Sequence, residues 1–331
     1  MSNAIHGEEH LIQEFLAPLA SGYPGAFGLK DDCAVFTPTP GHDLVVKTDP
    51  VAAGIHFFAD DKPEDIAWKA LAVNVSDLAA KAAIPRVYLM ALSFPEAPKR
   101  DWMQRFAHGL GQAQEKFGMH LIGGDTDRRP GPLTVSITVL GEVASGAMLR
   151  RGKANVGDQI YVSGALGSAA LGLALRRDAS LAHRLALTSG ETALALARYL
   201  RPEPRLALRC ALACASAAMD LSDGLIKDLG RMCRASSCAA RVSLAMLPLD
   251  SCMRKTVTLD QERWADVVGG GDDYEILTTV PPSRVRDFVA AAQSAGVTVS
   301  RIGAITAGSG VEVIGLDGSP LTFDRAGYDH F

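Results

Sequence analysis

The sequence predicts a mixed α/β fold in two domains, and three observations carry that reading. The chain has 331 residues, more than a single hydrophobic core usually serves. Short apolar or β-branched runs alternate with longer stretches of helical spacing, and at least five strands are expected in the first half. Residues 144–157 interrupt this alternation with Ser145-Gly146, Arg150-Arg151-Gly152 and Gly157-Asp158, dividing the chain into expected domains 1–147 and 148–331.

Composition narrows the class. Hydrophobic residues make up 48% and charged residues 21%, as in an ordinary globular chain. A net charge of −4 provides no basic footprint for general nucleic-acid binding, so an anionic substrate would need a cation or local Arg and Lys groups. No apolar run approaches ~18 residues, and the opening residues lack a signal-peptide pattern, so neither membrane insertion nor export is expected. The six cysteines, at 33, 210, 214, 233, 238 and 252, show neither zinc-finger spacing nor the density of a disulfide scaffold. A reducing cytoplasm without structural disulfides follows.

Residues 7–20 have amphipathic helical spacing, and a Gly-rich loop covers 21–29. Cys33-Ala34-Val35-Phe36 reads as a short strand closed by the turn Pro38-Thr39-Pro40-Gly41. Residues 44–49 form a strand ending in a carboxylate, and the loop 51–58 carries Gly54-Ile55-His56-Phe57. Pro63 suits a first helical turn, and Ile66, Ala67, Ala70, Leu71, Val73, Asn74 and Leu78 recur at helical spacing. They predict a helix over 63–82 with Asp77 inside it. A strand over 87–94, a helix over 99–117 stopped by Gly118, a strand over 119–122 running into Gly123-Gly124-Asp125, and a strand over 133–143 complete the first half. In the second half, a strand over 159–163 leads through Gly164-Ala165-Leu166-Gly167 into a helix over 168–176. A helix over 190–200 breaks at Pro202 and Pro204, and the Ala-rich run 205–217 reads as helical, with Cys210 and Cys214 in the core. Strands over 240–245, 276–280 and 297–302 and a helix over 283–295 follow.

The chemistry centres on Met219-Asp220-Leu221-Ser222-Asp223-Gly224-Leu225, where two carboxylates bracket a hydroxyl. Alone this is a helix start, with Ser222 or Asp223 as N-cap. It has company, however. Lys30-Asp31-Asp32, Lys47-Thr48-Asp49, Asn74-Val75-Ser76-Asp77 and Gly123-Gly124-Asp125-Thr126-Asp127 also set aspartates beside glycines or at the ends of apolar runs. Asp32, Asp49, Asp77, Asp125, Asp220 and Asp223 would repel one another if gathered without cations. Oxygen-only ligands suit Mg²⁺ held against phosphates. The competing reading of each is a turn or cap residue. Asp77 is the least turn-like, because a carboxylate inside an apolar helix needs a partner.

Other stretches admit two readings each. Arg150-Arg151 either pairs with phosphate or forms a solvated linker. His56 touches substrate or packs against its apolar neighbours. Asp272-Asp273, after three glycines, form a ligand-approach loop or a tight turn. There is no G-x-x-x-x-G-K-[ST] phosphate loop, no G-x-S-x-G elbow and no H-E-x-x-H pair. Gly164-x-x-Gly167 follows a strand but lacks the full dinucleotide fingerprint.

Taken in order, these stretches resemble the thiamine-monophosphate kinase family. That family belongs to the PurM-like superfamily, with aminoimidazole ribonucleotide synthetase, the maturation protein HypE and selenophosphate synthetase. The resemblance spans essentially the whole chain. It rests on Asp31-Asp32-Cys33-Ala34, Thr48-Asp49 through Gly54-Ile55-His56-Phe57, the run from Asn74 to Ala80, and Gly123-Gly124-Asp125-Thr126. It continues through Arg151-Gly152 with Gly157-Asp158, the run from Met219 to Leu225, Gly270-Gly271-Asp272-Asp273-Tyr274-Glu275, and the terminal Gly327-Tyr328-Asp329-His330-Phe331.

The resemblance implies ATP-dependent phosphorylation of thiamine monophosphate to thiamine diphosphate in the cytoplasm, with no nucleic-acid or membrane partner. It implies a two-domain PurM-like fold in which the N-terminal mixed sheet forms a barrel across a homodimer and a C-terminal α/β domain closes the cleft. It assigns Mg²⁺ to Asp32, Lys47, Thr48, Asp49, Asp77, Asp125, Asp220 and Asp223. ATP falls to Gly124, Asp125, Arg151 and Ser222, and the thiamine phosphate to His56, Asp272 and Tyr328. Asp77, Asp220 and Arg151 carry the catalytic roles.

Two positions depart from the family pattern. Asp272 stands where a glutamate is usual. Lys47 stands where a neutral residue is more familiar, so its ammonium either replaces part of a cation's role or points away. The substrate's own ionised phosphate would attack in line, so neither a strong general base nor a phosphoenzyme is expected. The rival readings are an amidine-forming synthetase using the same ATP site, and a non-catalytic nucleotide or thiamine-phosphate binding protein, which would be expected to lose the metal aspartates. Selenophosphate synthetase would want a reactive N-terminal Cys or selenocysteine, and HypE a terminal cysteine in place of Phe331.

Overall fold

Four strands build the first sheet of the computed structural model, which describes residues 5, 7–324 and 327–329. They are β1 (His42–Ala52), β2 (Ile84–Phe94), β3 (His120–Arg128) and β4 (Thr134–Ala144), in the order β1-β4-β2-β3. β4 pairs antiparallel with β1 and β2, while β2 and β3 run parallel. Helical turns over residues 8–20 precede the sheet, and the two long helices of this part of the chain are α1 (Pro63–Ala80) and α2 (Arg100–Phe117). The parallel pair needs a crossover, and α2 supplies it. Gly118 closes α2 in the left-handed conformation at φ 67, donating to the Gln114 carbonyl. α1 is buried nearly all round, from Ile66 to Ala80, which is why its sequence shows so little polar stripe.

The chain divides into two compact units. One comprises the described residues up to 78 together with 83–148, and the other 79–82 with the described residues from 149 onward. The second contains β5 (Gln159–Ser163), β6 (Ala217–Asp220), β7 (Ala239–Ser243), β8 (Ile276–Val280), β9 (Val299–Thr306), β10 (Gly310–Ile314) and β11 (Pro320–Leu321). Their order is β11-β10-β7-β9-β5-β8-β6. Helices α3 (Ser168–Arg177), α4 (Ser189–Leu200), α5 (Leu225–Ser236), α6 (Ser251–Leu259) and α7 (Val285–Ser294) accompany them. Strand alternation splits the interior in two: Ile160 and Val162 of β5 enter one core with Leu229 and Met232 of α5, and Tyr161 enters the other with Phe288 of α7.

Several expectations need correction. Residues 33–36 are not a strand: Val35 donates to the Gly25 carbonyl, and Pro38 and Pro40 remove the donors a ladder would need. The sheet of the first unit therefore has four strands, not five, among the described residues. The Ala-rich run 205–217 is not one helix. It makes a 3₁₀ turn at Leu206–Leu208 and a single turn at Arg209–Leu212, and then extends as β6 against β8. That turn buries Leu208, Ala211 and Leu212, while Cys210 is exposed and Cys214 only half-buried, so neither is a core residue. Sheet pairing outweighs alanine's helix propensity here. All six cysteines are free thiols. Among the described residues no helix is long and apolar enough to cross a membrane.

Candidate active site

In the first unit the pleat of β1 sets Lys47 and Asp49 on one face, and Val46 and Thr48 on the other. Asn74 of α1, fully buried, reaches the first of these faces. Its Oδ1 accepts the Asp49 N–H at 2.8 Å, and its Nδ2 donates to the Asp49 carbonyl at 3.3 Å and the Ala70 carbonyl at 3.0 Å. Asp77 lies three residues along the helix, hence on the same side. The Asp49 and Asp77 carboxylates meet on Lys47, whose Nζ is 3.0 Å from Asp49 Oδ2 and 2.8 Å from Asp77 Oδ2. Burial alone would lower the Lys47 pKa, but the carboxylates of Asp77 and Asp49 outweigh it and hold it above the ordinary lysine value. The partner that a carboxylate within α1 requires is thus Lys47.

The other expected residues of this unit are placed as follows. The Thr48 hydroxyl donates to the Ile137 carbonyl at 3.1 Å and accepts from Thr138 at 3.0 Å, so it faces β4 rather than the aspartate pair. Asp125 is exposed on β3, with Oδ1 accepting its neighbour's Thr126 N–H. Gly124 has φ 154, and a Cβ there would stand 1.8 Å from the Met90 carbonyl oxygen, so β2–β3 pairing by itself demands glycine. Asp32 is exposed ahead of β1. His56 folds the end of β1 back on itself: its Nδ1 accepts the Ala52 N–H at 3.1 Å, which puts the proton of the neutral ring on Nε2.

Among the described residues no three His, Cys, Asp or Glu side chains form a group placed to hold a metal ion. The Asp49–Asp77 pair nevertheless fits a hard cation, since two carboxylate oxygens already enclose a positive charge.

In the second unit two sequence motifs interlock. The Ser222 carbonyl accepts the Asp272 N–H at 2.9 Å, Leu221 O accepts the Tyr274 N–H at 2.8 Å, and Glu275 O accepts the Leu221 N–H at 2.8 Å. A Cβ on Gly271 would stand 2.5 Å from the Ser222 carbonyl oxygen, so glycine is required for the approach. Asp272 and Tyr274 adopt φ of 70 and 49, a strained conformation for side-chain-bearing residues, and the Tyr274 hydroxyl donates to Asp272 Oδ1 at 3.2 Å. The chain terminus joins the same loop, with Tyr328 N–H donating to the Asp223 carbonyl at 2.9 Å and Lys227 Nζ donating to the Tyr328 carbonyl. Asp220, at the end of β6, is buried. Asp220, Ser222, Asp223, Asp272 and Tyr328 are therefore brought to one set of interlocked loops. His330 and Phe331 lie outside the described residues.

Sequence reasoning missed the residue that shapes this loop. The expected N-cap, Ser222 or Asp223, is replaced by Gly224, and no side chain caps α5 from that position. Instead Asp228, fully buried in the first turn of α5, accepts the N–H groups of Ser222 at 3.1 Å and Asp223 at 2.9 Å. Arg231 donates to Asp228 at 2.8 Å and pairs with Asp223 at 2.5 Å. Burial and the nearby Asp223 charge push the Asp228 pKa up. The available signal was an aspartate between Leu225, Leu229 and Met232 on an apolar helix face.

Arg151 lies apart from Ser222 along α5. Its carbonyl accepts the Ser236 hydroxyl at the C-terminal end of this 12-residue helix, roughly 18 Å from the N-terminal end where Ser222 stands. The Gly164-x-x-Gly167 turn also has a full structural account. A Cβ on Gly164 would collide with the Glu275 carboxylate, which Ser163 and Arg205 hold. The Gly167 N–H at the start of α3 donates to the Asp273 carboxylate at 2.9 Å. This helix N-terminus is already occupied by the Asp273 carboxyl group, where a dinucleotide site would need it open.

Comparison with known proteins gives a consistent picture. The model of the AIR synthase related protein N-terminal domain matches residues 30–143, and that of the corresponding C-terminal domain matches residues 155–315. The thiamine-monophosphate kinase of Escherichia coli K12 is 41% identical over 311 residues, 92% of this chain and 91% of that protein. The crystal structure of the thiamine-monophosphate kinase from Stenotrophomonas maltophilia K279a superposes with a TM-score of 0.80 at 38% identity, covering 88% of this chain and 91% of the other. AaThiL complexed with AMPPCP and TMP superposes at 0.76 with 28% identity, covering 93% and 97%.

Proposed function

The chain belongs to the thiamine-monophosphate kinases, within the AIR synthase related proteins, and from this we infer that it transfers the γ-phosphoryl group of ATP to thiamine monophosphate, making thiamine diphosphate. The observation that carries the reading is a relative of matching length that holds AMPPCP, a non-hydrolysable ATP analogue, together with TMP.

The reaction joins two anionic groups, so alignment and neutralisation are the work to be done. Within the first unit Asp32, Asp49, Asp77 and Asp125, and within the second Asp220 and Asp223, are the carboxylates that would hold Mg²⁺, which when bound supplies positive charge to the phosphates. Asn74 fixes the main chain of Asp49, so its carboxylate is oriented before any ligand arrives. Asp228 does the same for Ser222 and Asp223 in the ATP-contacting loop. Arg151 stands at the far end of α5 from Ser222 and is left out of this set. His56 offers Nε2–H, and Asp272 and Tyr328 complete the contacts to thiamine monophosphate. The acceptor phosphate is already ionised near neutral pH and attacks directly. The chain therefore needs no general base and forms no phosphoenzyme.

Homodimerisation through the first sheet is part of this reading. Leu44, Val46 and Leu89 are 42%, 60% and 38% exposed on that sheet, and a barrel formed with a second copy would cover them. The six free thiols support a cytoplasmic setting.

Asp77→Asn and Asp220→Asn test the site assignment. Each should lower turnover roughly a hundredfold or more while leaving the melting temperature nearly unchanged. Near-normal turnover in either variant contradicts the carboxylate roles.

A further inference from the structure

We propose that Lys47 is a built-in cation that takes the place of one divalent ion at the Asp49–Asp77 carboxylate pair. The inference deepens the kinase reading and rests on it for what the charge accomplishes.

Contacts that do not involve Lys47 bring Asp49 and Asp77 to one side of α1. Buried Asn74 holds the main chain of Asp49 against α1, and Asp77 follows one helical turn later. Two carboxylates brought together in this way need positive charge between them. Lys47 stands two residues before Asp49, so the strand pleat points its side chain to the same face. Its Nζ lies 3.0 Å from one carboxylate and 2.8 Å from the other. The side chain is one-third exposed, and its ammonium reaches both carboxylate oxygens at once. This differs from an ordinary surface ion pair, in which one flexible lysine meets one carboxylate.

A Mg²⁺ ion would sit about 2.1 Å from carboxylate oxygens and would occupy the same space as the ammonium. Lys47 and a Mg²⁺ ion bridging the two carboxylates exclude each other, whereas any other Mg²⁺ held by the aspartates is unaffected. The protein with Lys47 should therefore bind one divalent ion fewer than a version with a short neutral side chain there. The single charge of Lys47 leaves the pair with a net negative charge, and it cannot be lost by chelation.

The test counts ions rather than turnover. Mn²⁺ serves as the probe, with bound ions per full-length chain measured from the loss of the free-ion electron paramagnetic resonance signal, with and without AMPPCP. Lys47→Ser should bind one more Mn²⁺ per chain than the natural protein. Lys47→Gln, closer in length, repeats the count should the serine variant fold poorly. In parallel, Mg²⁺ should raise the melting temperature of the variants more than that of the natural protein. An unchanged count in both variants, including no bound ion in any of the proteins, overturns the proposal. Failure of the kinase reading would show separately, as absent phosphoryl transfer to thiamine monophosphate.

Discussion

Asn74 holds both main-chain polar groups of Asp49, accepting the N–H at 2.8 Å and donating to the carbonyl at 3.3 Å. A buried amide thus fixes the strand position from which a proposed metal carboxylate projects. Asn74→Ala should leave the Asp49 N–H without its acceptor and destabilise the protein by about 1–3 kcal/mol. Turnover should fall further than stability predicts, because the Asp49–Asp77 spacing is no longer set. Urea unfolding and steady-state rates on one preparation separate the effects, and unchanged turnover in the folded variant counts against the positioning role.

Asp228 should behave as the counterpart of Asn74 in the second unit. Asp228→Ala removes the acceptor of the Ser222 and Asp223 N–H groups and releases Arg231 from one of its two carboxylates. The expected result is a stability loss of about 1–3 kcal/mol and a raised KM for ATP. Asp228→Asn, which keeps one acceptor, should recover part of that affinity. A variant with unchanged KM would show that the loop keeps its shape by other means.

Gly124→Ala should fail by a different route. Its Cβ would meet the Met90 carbonyl at 1.8 Å, so β2–β3 pairing has to give way. Loss of soluble protein or a large drop in melting temperature is expected before any effect on nucleotide binding can be read. A stable Gly124→Ala protein with weakened ATP binding alone would contradict this.

Asp273 makes stability depend on pH. Burial, with help from the Glu275 charge, raises its folded-state pKa well above the ordinary carboxylate value, against the lowering effect of the Gly167 N–H. Between the unfolded value near 3.8 and the raised folded value, the folded state binds more protons. The Asp273 contribution is therefore fully present below the unfolded value and is lost as pH rises through the folded one. Asp273→Asn should flatten that slope and gain relative stability at the alkaline end. Urea midpoints measured from mildly acidic to neutral pH check the sign, and a parallel pair of curves would refute it.

The sequence was most legible where chemistry and periodicity agree. Asp77, inside an apolar helix, announced its need for a partner, and α1 and α2 follow from spacing and from Pro63 and Gly118. The partner itself was harder to find, because Lys47 reaches Asp77 only once β1 lies against α1. Asn74 fits the helical spacing of 63–82 and Asp228 follows the aspartate-serine stretch without a signal of its own; the role of each depends on main-chain N–H groups of other residues, and no local pattern records those. Residues 205–217 misled because alanine suits both a helix and a narrow sheet edge, and pairing with β8 decides between them. The order of the aspartate motifs identified the family, yet placing Arg151 at the far end of α5 from Ser222 required the fold.

The central claim is tested most directly by supplying γ-labelled ATP and Mg²⁺ with thiamine monophosphate, and by running thiamine and aminoimidazole ribonucleotide precursors in parallel. The account predicts label in thiamine diphosphate and in neither of the other reactions. A folded protein that binds ATP yet leaves thiamine diphosphate unlabelled would contradict it.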